Sequence, residues 1–260
     1  MKVSSRTPPP PDMGWAYFLD IDGTLTELAD TLRGIVIHHD LAELIGRLRS
    51  LTGGAVALIT GRTIAEVDGV ISLSGFPVAG HHGLEVRTAG GKLVAHPVRE
   101  GSLDELRLAA EQAVRRHDGL TVEFKGLSIA LHYRQAPKLA GYSHKLMRSL
   151  RARYVPDFVL QKGKMILELR PAGRDKGGAI AELMESPPFA GRIPVFVGDD
   201  VADEAGFAIV NEMGGHSIKV GPGRTEARYR LRDVAAVRDW MARGIDTATE
   251  AAAEEIEDTD

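Results

Sequence analysis

Residues 18–25 have the sequence FLDIDGTL, an apolar run that ends in two aspartates one residue apart. A buried strand favours Val, Ile, Leu and Phe, and two carboxylates this close repel unless a cation or a reacting group lies between them. Side chains alternate along a strand, so we expect Asp20 and Asp22 to point the same way. The pattern predicts a catalytic carboxylate pair. The alternative is an Asp-Gly turn in which Asp22 bonds to its own backbone.

Strands and helices alternate in the sequence on both sides of a differently patterned middle. The strands are uninterrupted apolar runs, which is typical of a parallel sheet covered by helices on both faces. The fold class is therefore α/β, with a Rossmann-like parallel sheet, and its ligand site is expected beyond the carboxyl ends of the strands. The predicted strands are 15–20, 55–59, 77–79, 194–197 and 217–220, and the predicted helices are 40–51, 63–70, 176–184 and 202–210.

The middle of the chain favours antiparallel pairing. After a hairpin at 84–95, its pattern is helix (102–117), two strands, helix (137–154), two strands, which indicates an inserted α+β module. We predict a core of residues 14–98 and 171–245 with an inserted domain at 99–170. Residues 1–13, with Pro8–Pro11, are predicted to be a disordered, mobile arm, and 246–260 an acidic tail that buries no face.

Composition excludes several function classes. The 260 residues include no cysteine, which rules out disulfides, zinc-thiolate sites and cysteine nucleophiles. The net charge of −4 and the lack of a basic run give no reason to expect a nucleic-acid partner. No signal-peptide core or membrane-spanning stretch is present, so we expect no membrane partner and a cytoplasmic location.

Polar residues follow strands or open a helix at four places along the predicted core. Each has a simpler alternative: a helix N-cap for Thr60, a solvated surface charge for Lys176, and an acidic helix start for Asp199, Asp200 and Asp203. Together they suit one pocket, in which carboxylates bind Mg²⁺ and a hydroxyl and an ammonium contact a phosphoryl group. These places are Asp20 with Asp22, Thr60 with Arg62, Lys176, and Asp199 with Asp200 and Asp203.

FLDIDGT, LITGR, a downstream lysine and VGDDVADE resemble the four signature motifs of the haloacid dehalogenase superfamily of phosphatases. The resemblance implies that Asp20 is the nucleophile, that Asp22 is the general acid and then the base, and that Thr60 and Lys176 bind the phosphoryl group. It also implies a Mg²⁺ cofactor and an α/β cap that contacts the rest of the substrate. The implied metal ligands are the Asp20 carboxylate, the Asp22 main-chain carbonyl and Asp199, with Asp200 and Asp203 in support.

The inserted domain resembles that of the trehalose-6-phosphate phosphatase family, through E-x-K-G at 123–126, H-Y-R at 132–134 and E-x-R-P at 168–171. The resemblance implies that Glu123, Lys125 and Glu168 bind sugar hydroxyls. The alternative for Glu123 and Lys125 is an ion pair on a solvated sheet. For His132 we expect strand packing, and for Arg134 a surface charge. Arg62 is a further candidate for substrate binding, through the phosphate, with an ion pair at the helix start as its alternative.

Gly80–Glu85 (GHHGLE) is also similar to that family. Adjacent histidines on a strand point to opposite faces, so a hinge or pocket-wall role is favoured over metal binding for His81 and His82.

Three functions follow from these resemblances. The first is Mg²⁺-dependent hydrolysis of trehalose 6-phosphate through an aspartyl-phosphate. The second is hydrolysis of another sugar phosphate, such as one that resembles sucrose phosphate. The third is a non-catalytic sugar-phosphate-binding domain that regulates a partner, which the presence of Asp20, Asp22, Thr60, Lys176 and Asp199 disfavours. The expected partner is a small sugar phosphate, and association with a trehalose-phosphate synthase stays open.

Overall fold

The computed structural model describes residues 6–27, 39–70, 75–95, 102–124, 127–163 and 165–257. The chain forms two compact units, Met1–Val94 with Asp175–Asp260, and Ala95–Arg174. The second unit extends four residues beyond the predicted insertion at each end. No helix in the described ranges has the length and apolar character that crossing a membrane requires.

The strands and α-helices of the described residues are, in chain order, β1 (Ala16–Leu19), α1 (His39–Leu51), β2 (Val56–Ile59), α2 (Ile64–Val70), β3 (Val78–Gly80), β4 (Glu85–Arg87), β5 (Leu93–Ala95), α3 (Ser102–Val114), β6 (Thr121–Phe124), β7 (Ile129–His132), α4 (Ala140–Tyr154), β8 (Phe158–Gly163), β9 (Ile166–Pro171), α5 (Lys176–Met184), β10 (Pro194–Gly198), α6 (Glu204–Glu212), β11 (His216–Val220), β12 (Tyr229–Leu231) and α7 (Val234–Glu257).

The first unit is built on a sheet in the order β12-β11-β10-β1-β2-β3-β4-β5. Strands β12 to β3 in this order are parallel, and β4 is antiparallel to β3. Tyr17 and Leu19 of β1 pack in a core with residues of α1 and α7, whereas Ala16 and Phe18 pack in a second core with residues of α5 and α6. Because both faces are covered, the neighbouring strands β1, β2 and β10 are apolar throughout, and the predicted α/β fold with a parallel sheet is confirmed.

The second unit is a four-stranded antiparallel sheet in the order β6-β7-β9-β8. Leucines and isoleucines of these strands pack with apolar residues of α3 and α4, such as Leu106 and Met147. One sheet face is thus apolar, and alternation gives the other face the polar residues of the same strands.

The prediction of a mobile N-terminal arm is wrong for residues 6–13. Pro8 is buried, the Trp240 indole N–H donates to the Pro9 carbonyl at 2.8 Å, and the Tyr17 hydroxyl donates to the Asp12 carbonyl at 2.9 Å. An extended Pro-rich segment makes no internal hydrogen bonds, so its carbonyls are available to donors elsewhere. Gly244 of α7 leaves room for this segment, because a Cβ there would lie 2.3 Å from Pro11. Residues 1–5 lie outside the described residues.

The C-terminal end also differs from the prediction. Residues 246–257, predicted as a tail, continue α7 as a regular helix. The last predicted strand, at 217–220, corresponds to β11, but a further strand, β12, follows it. The sequence did not indicate β12 because its three residues are too few to show an alternating pattern.

Candidate active site

The carboxyl ends of three neighbouring strands bring the predicted site residues together. Strand β1 is central, and its last residue, Leu19, lies opposite Leu58 of β2 and Val197 of β10. Asp20, Thr60 and Asp199 therefore lie just beyond adjacent strand ends. This is the edge at which an open parallel sheet binds its ligands.

Lys176 joins two carboxylates inside the protein. Its ammonium donates to Asp20 Oδ1 at 2.7 Å and to Asp203 Oδ1 at 2.6 Å, and all three residues are at most 4% exposed. Lys176 is the first residue of α5, which explains how it reaches the end of β1. Burial alone would lower the pKa of Lys176, but the charges of Asp20 and Asp203 outweigh it and raise that pKa. The alternative of a solvated surface lysine is therefore excluded.

The surroundings of Asp20 disfavour its negative charge. Burial raises the pKa of Asp20, and the nearby carboxylates of Asp203 and Asp199 raise it further, against the attraction of Lys176. The Thr24 hydroxyl donates to Asp20 Oδ2 at 3.3 Å. The cluster thus has more negative than positive charge, and an additional cation would stabilise its ionised form.

The same cluster fits a divalent metal. Carboxylate oxygens of Asp20, Asp199 and Asp203 lie within 4.8 Å of one another. Asp199 Oδ1 is buried and has no hydrogen-bond partner among the described residues. Burial, and then the charges of Asp203 and Asp200, raise the pKa of Asp199 to about 7. Gly23 leaves the space for this carboxylate, because a Cβ there would lie 2.3 Å from Asp199 Oδ2. An all-oxygen, charge-rich donor set of this kind suits Mg²⁺.

Asp200 and Asp203 also have the helix-start role that was the alternative for this segment. Asp200 Oδ1 accepts from the Val201 amide at 2.7 Å, and Asp203 Oδ2 accepts from the amides of Asp199 and Asp200 at 2.8 Å. The two form a capping box at the short turn of residues 201–203. The Asp200 carboxylate is outside the three-carboxylate group described above.

Asp22 has a different environment from Asp20. Strand β1 ends at Leu19, so strand alternation does not extend to Asp22, and its side chain is 30% exposed. Its two carboxylate oxygens accept 2.7 Å hydrogen bonds from Nε and Nη2 of Arg62. Arg62 thus forms an ion pair, which was one of its two sequence alternatives, and its partner is the proposed acid, which the sequence did not identify.

Thr60 is not a helix N-cap. It is fully buried, and its Oγ1 accepts from the Arg62 amide at 3.1 Å. Helix α2 is capped instead by Thr63 and Glu66: the Thr63 hydroxyl accepts from the Glu66 amide at 3.1 Å, and the Glu66 carboxylate accepts from the Thr63 amide at 2.7 Å.

In the second unit, Glu123 and Glu168 lie in one row across the sheet. Glu123 is opposite Ala130 of β7, which is opposite Glu168 of β9, so the two carboxylates share a face. Glu168 accepts from the Ser128 hydroxyl at 2.5 Å, and Glu123 Oε2 lies 2.8 Å from His132 Nε2. Lys125 lies outside the described residues.

Sequence reasoning missed several polar residues of these sites. The sequence favours strand packing for His132, yet its ring lies 2.8 Å from Glu123 on the polar sheet face. No motif in the sequence indicates Lys219. It is buried in β11, and its ammonium donates to the main-chain carbonyl of Asp199 and to that of Val220. The available signal was a lysine within an apolar strand, since a buried lysine requires polar partners.

Comparisons with known proteins identify the family of the chain. A family model described as trehalose-phosphatase matches residues 18–235. The chain is 38% identical over 227 residues to the trehalose-6-phosphate phosphatase of Escherichia coli K12, covering 87% of this chain and 85% of the relative. It is 43% identical over 232 residues to a probable trehalose-phosphate phosphatase of Sinorhizobium fredii, covering 88% and 86% of the two chains.

The fold has a matching solved structure. The C-terminal domain of a Candida albicans trehalose-6-phosphate phosphatase superposes with a TM-score of 0.79, covering 94% of this chain and 93% of that chain at 21% identity. The same fold is found in a solved haloacid dehalogenase-like hydrolase from Bacteroides thetaiotaomicron, in agreement with the fold that the sequence motifs imply. The chain belongs to the trehalose-phosphatase family of phosphoric monoester hydrolases.

Proposed function

We propose that this chain hydrolyses trehalose 6-phosphate to trehalose and phosphate through an aspartyl-phosphate at Asp20, with Mg²⁺ as cofactor. The observation that carries the proposal is the buried bridge from Lys176 to Asp20 and Asp203. The bridge supports these roles because it holds a carboxylate that can act as nucleophile next to an ammonium that can bind phosphoryl oxygens, at a single strand end.

The first step transfers the phosphoryl group. An oxygen of the Asp20 carboxylate bonds to phosphorus while the bond from phosphorus to the sugar oxygen breaks, and Asp22 donates a proton to that oxygen. In the second step Asp22 accepts a proton from water as the water oxygen attacks the same phosphorus, which releases phosphate and restores the Asp20 carboxylate. Thr60 and Lys176 hold the phosphoryl oxygens in both steps, since phosphoryl transfer depends mainly on positioning and charge neutralisation.

Asp20, Asp199 and the main-chain carbonyl of Asp22 would hold the metal ion, with Asp200 and Asp203 in support. A bound Mg²⁺ supplies positive charge that offsets the carboxylates and the phosphoryl oxygens. The buried, unpartnered Asp199 Oδ1 and the raised pKa values of Asp20 and Asp199 support this assignment.

We propose further that Glu123 and Glu168 bind hydroxyl groups of the disaccharide. Their shared face and their bonds to His132 and Ser128 support the proposal, because a carboxylate already fixed by one partner accepts a hydroxyl in a defined direction. Charge-assisted bonds of this kind reject sugars that lack the hydroxyl. Sugar contact by Lys125, phosphate contact by Arg62 and a cytoplasmic location stay predictions from the sequence.

The test is phosphate release by the purified chain with Mg²⁺. We expect kcat/KM for trehalose 6-phosphate to exceed that for sucrose, glucose and mannose phosphates, and Asp20→Asn to abolish all turnover. Equal kcat/KM values across the panel would refute the specificity and leave a general sugar phosphatase. Undiminished turnover by Asp20→Asn would refute the nucleophile.

A further inference from the structure

The turn between β3 and β4 has an unusual backbone. His81, His82 and Gly83 have successive φ angles of 52°, 55° and 93°. Residues other than glycine seldom adopt positive φ, and consecutive ones persist only where the surrounding structure holds them in place. His81 is fully buried and His82 is 7% exposed, so this turn is packed inside the protein. The histidines therefore do not lie on a strand, and the argument that they point to opposite faces does not apply.

One side of this turn holds the backbone on which Thr60 and Arg62 lie. The His82 amide donates to the Thr60 carbonyl at 3.0 Å, and the His81 amide donates to the Arg62 carbonyl at 2.7 Å. The His82 ring covers Gly61 between them, since a Cβ at Gly61 would lie 2.7 Å from the ring Cε1. The left-handed backbone of the turn directs both amides to this one segment.

The other side of the turn touches the start of α5. A Cβ at Gly83 would lie 2.6 Å from the Asp175 carbonyl oxygen and 3.1 Å from the Ala179 Cβ. Asp175 caps α5 by accepting from the Gly178 amide at 2.9 Å, and Lys176 is the first residue of the helix. The three-residue turn thus contacts both chain segments that carry the phosphoryl-binding side chains.

We propose that the turn of residues 81–83 sets the separation between Thr60 and Lys176, with His82 and Gly83 as positioning residues that touch no substrate. The inference rests on the proposed function, because it takes Thr60 and Lys176 to hold the phosphoryl group. A displacement of such groups by about 1 Å can lower a rate on the order of 100-fold. A turn that is packed against both segments prevents that displacement.

Gly83→Ala with Gly91→Ala as its matched control tests the proposal. Both glycines have positive φ, of 93° and 79°, but only Gly83 has atoms within 4 Å of its Cβ position. We expect Gly83→Ala to lower kcat about 10-fold or more and to weaken inhibition by inorganic phosphate, because the new methyl displaces α5. Gly91→Ala carries similar backbone strain and should leave both unchanged. Equal kcat in the two folded variants would overturn the proposal.

A second pair of variants keeps the test valid if Gly83→Ala does not fold. Gly61 is not in the left-handed region, so Gly61→Ala adds no backbone strain and only places a methyl against the His82 ring. We expect Gly61→Ala to lower kcat and His82→Asn on that background to restore it several-fold, since Asn tolerates positive φ and is smaller than His. A double variant no more active than Gly61→Ala would contradict a positioning role for His82.

Two substrates separate this proposal from the proposed function. A positioning defect at the phosphoryl group lowers kcat/KM for trehalose 6-phosphate and for p-nitrophenyl phosphate by the same factor. A loss confined to trehalose 6-phosphate would overturn the positioning proposal while leaving the proposed function intact. Conversely, a wild-type protein that prefers another sugar phosphate would refute the proposed substrate. The role of the turn would still be tested by asking whether the variant loses kcat/KM by the same factor for that sugar phosphate and for p-nitrophenyl phosphate.

Discussion

Arg62 donates from Nε and Nη2 to the two carboxylate oxygens of Asp22, with both distances 2.7 Å. Two parallel hydrogen bonds fix the plane of a carboxylate as well as its position. Thr60 is two residues away from Arg62, and its Oγ1 accepts from the Arg62 amide. The segment that carries Thr60, the hydroxyl proposed to bind the phosphoryl group, therefore also orients the proposed acid.

Arg62→Lys is expected to lower kcat about 10-fold or more with a smaller change in KM, because lysine keeps the charge but cannot form the paired bonds. The measurement is steady-state kinetics with trehalose 6-phosphate. Arg87→Lys is the matched control, since Arg87 binds Asp68 through a similar pair of bonds at 2.8 and 2.9 Å. Equal losses in the two variants would contradict a specific role for the Arg62 pair.

Mg²⁺ is expected to raise the melting temperature of the wild-type protein, by roughly 5 °C at about 100 times Kd, because the proposed carboxylate site exists only in the folded chain. Asp199→Asn should lose this increase, and without Mg²⁺ it should be no less stable than wild type, because it removes a charge that burial disfavours. Asp239→Asn, at an exposed position of α7, is the control. An undiminished Mg²⁺ effect in Asp199→Asn would exclude Asp199 as a ligand.

Trp240→Phe is expected to lower the free energy of unfolding by about 1 kcal/mol through loss of the bond to the Pro9 carbonyl. Urea denaturation measures the change. In a chain shortened by its first nine residues, the same substitution should lower the free energy of unfolding much less, because the Pro9 carbonyl is absent. An equal decrease in both chains would show that the bond to the N-terminal segment does not contribute to stability.

His216 is expected to make the protein less stable in mild acid. Its ring packs between Trp15 and Tyr229, at centroid distances of 4.4 and 5.6 Å, and burial, aided by Arg228, lowers its pKa from the ordinary 6.5. The unfolded chain therefore binds more protons than the folded one as the pH falls below about 6.5, and the free energy of unfolding decreases. His216→Gln should lose less stability between pH 7.5 and 5.5 in urea titrations. An unchanged pH dependence would contradict this.

Strand positions were predictable because local chemistry determines them. Apolar runs such as 56–59 and 194–198 have no alternative to burial, and a parallel sheet buries both strand faces. The residues beyond these strands, Asp20, Thr60 and Asp199, follow from the same argument. The Pro-rich segment was mispredicted because its composition indicates only that it forms no internal bonds, whereas the Trp240 donor lies 231 residues away.

The sequence by itself determined the α/β core, the carboxylate-rich edge and the phosphatase motifs, since strand periodicity and motif spacing are properties of neighbouring residues. Tertiary structure alone decided which residues meet. It pairs Lys176 with Asp20, 156 residues apart, and Arg62 with Asp22. It also packs the His81–Gly83 turn against two segments that are separate in the chain. Partner choice depends on side chains brought together by sheet order and helix packing, and the pattern of any one segment does not contain that information.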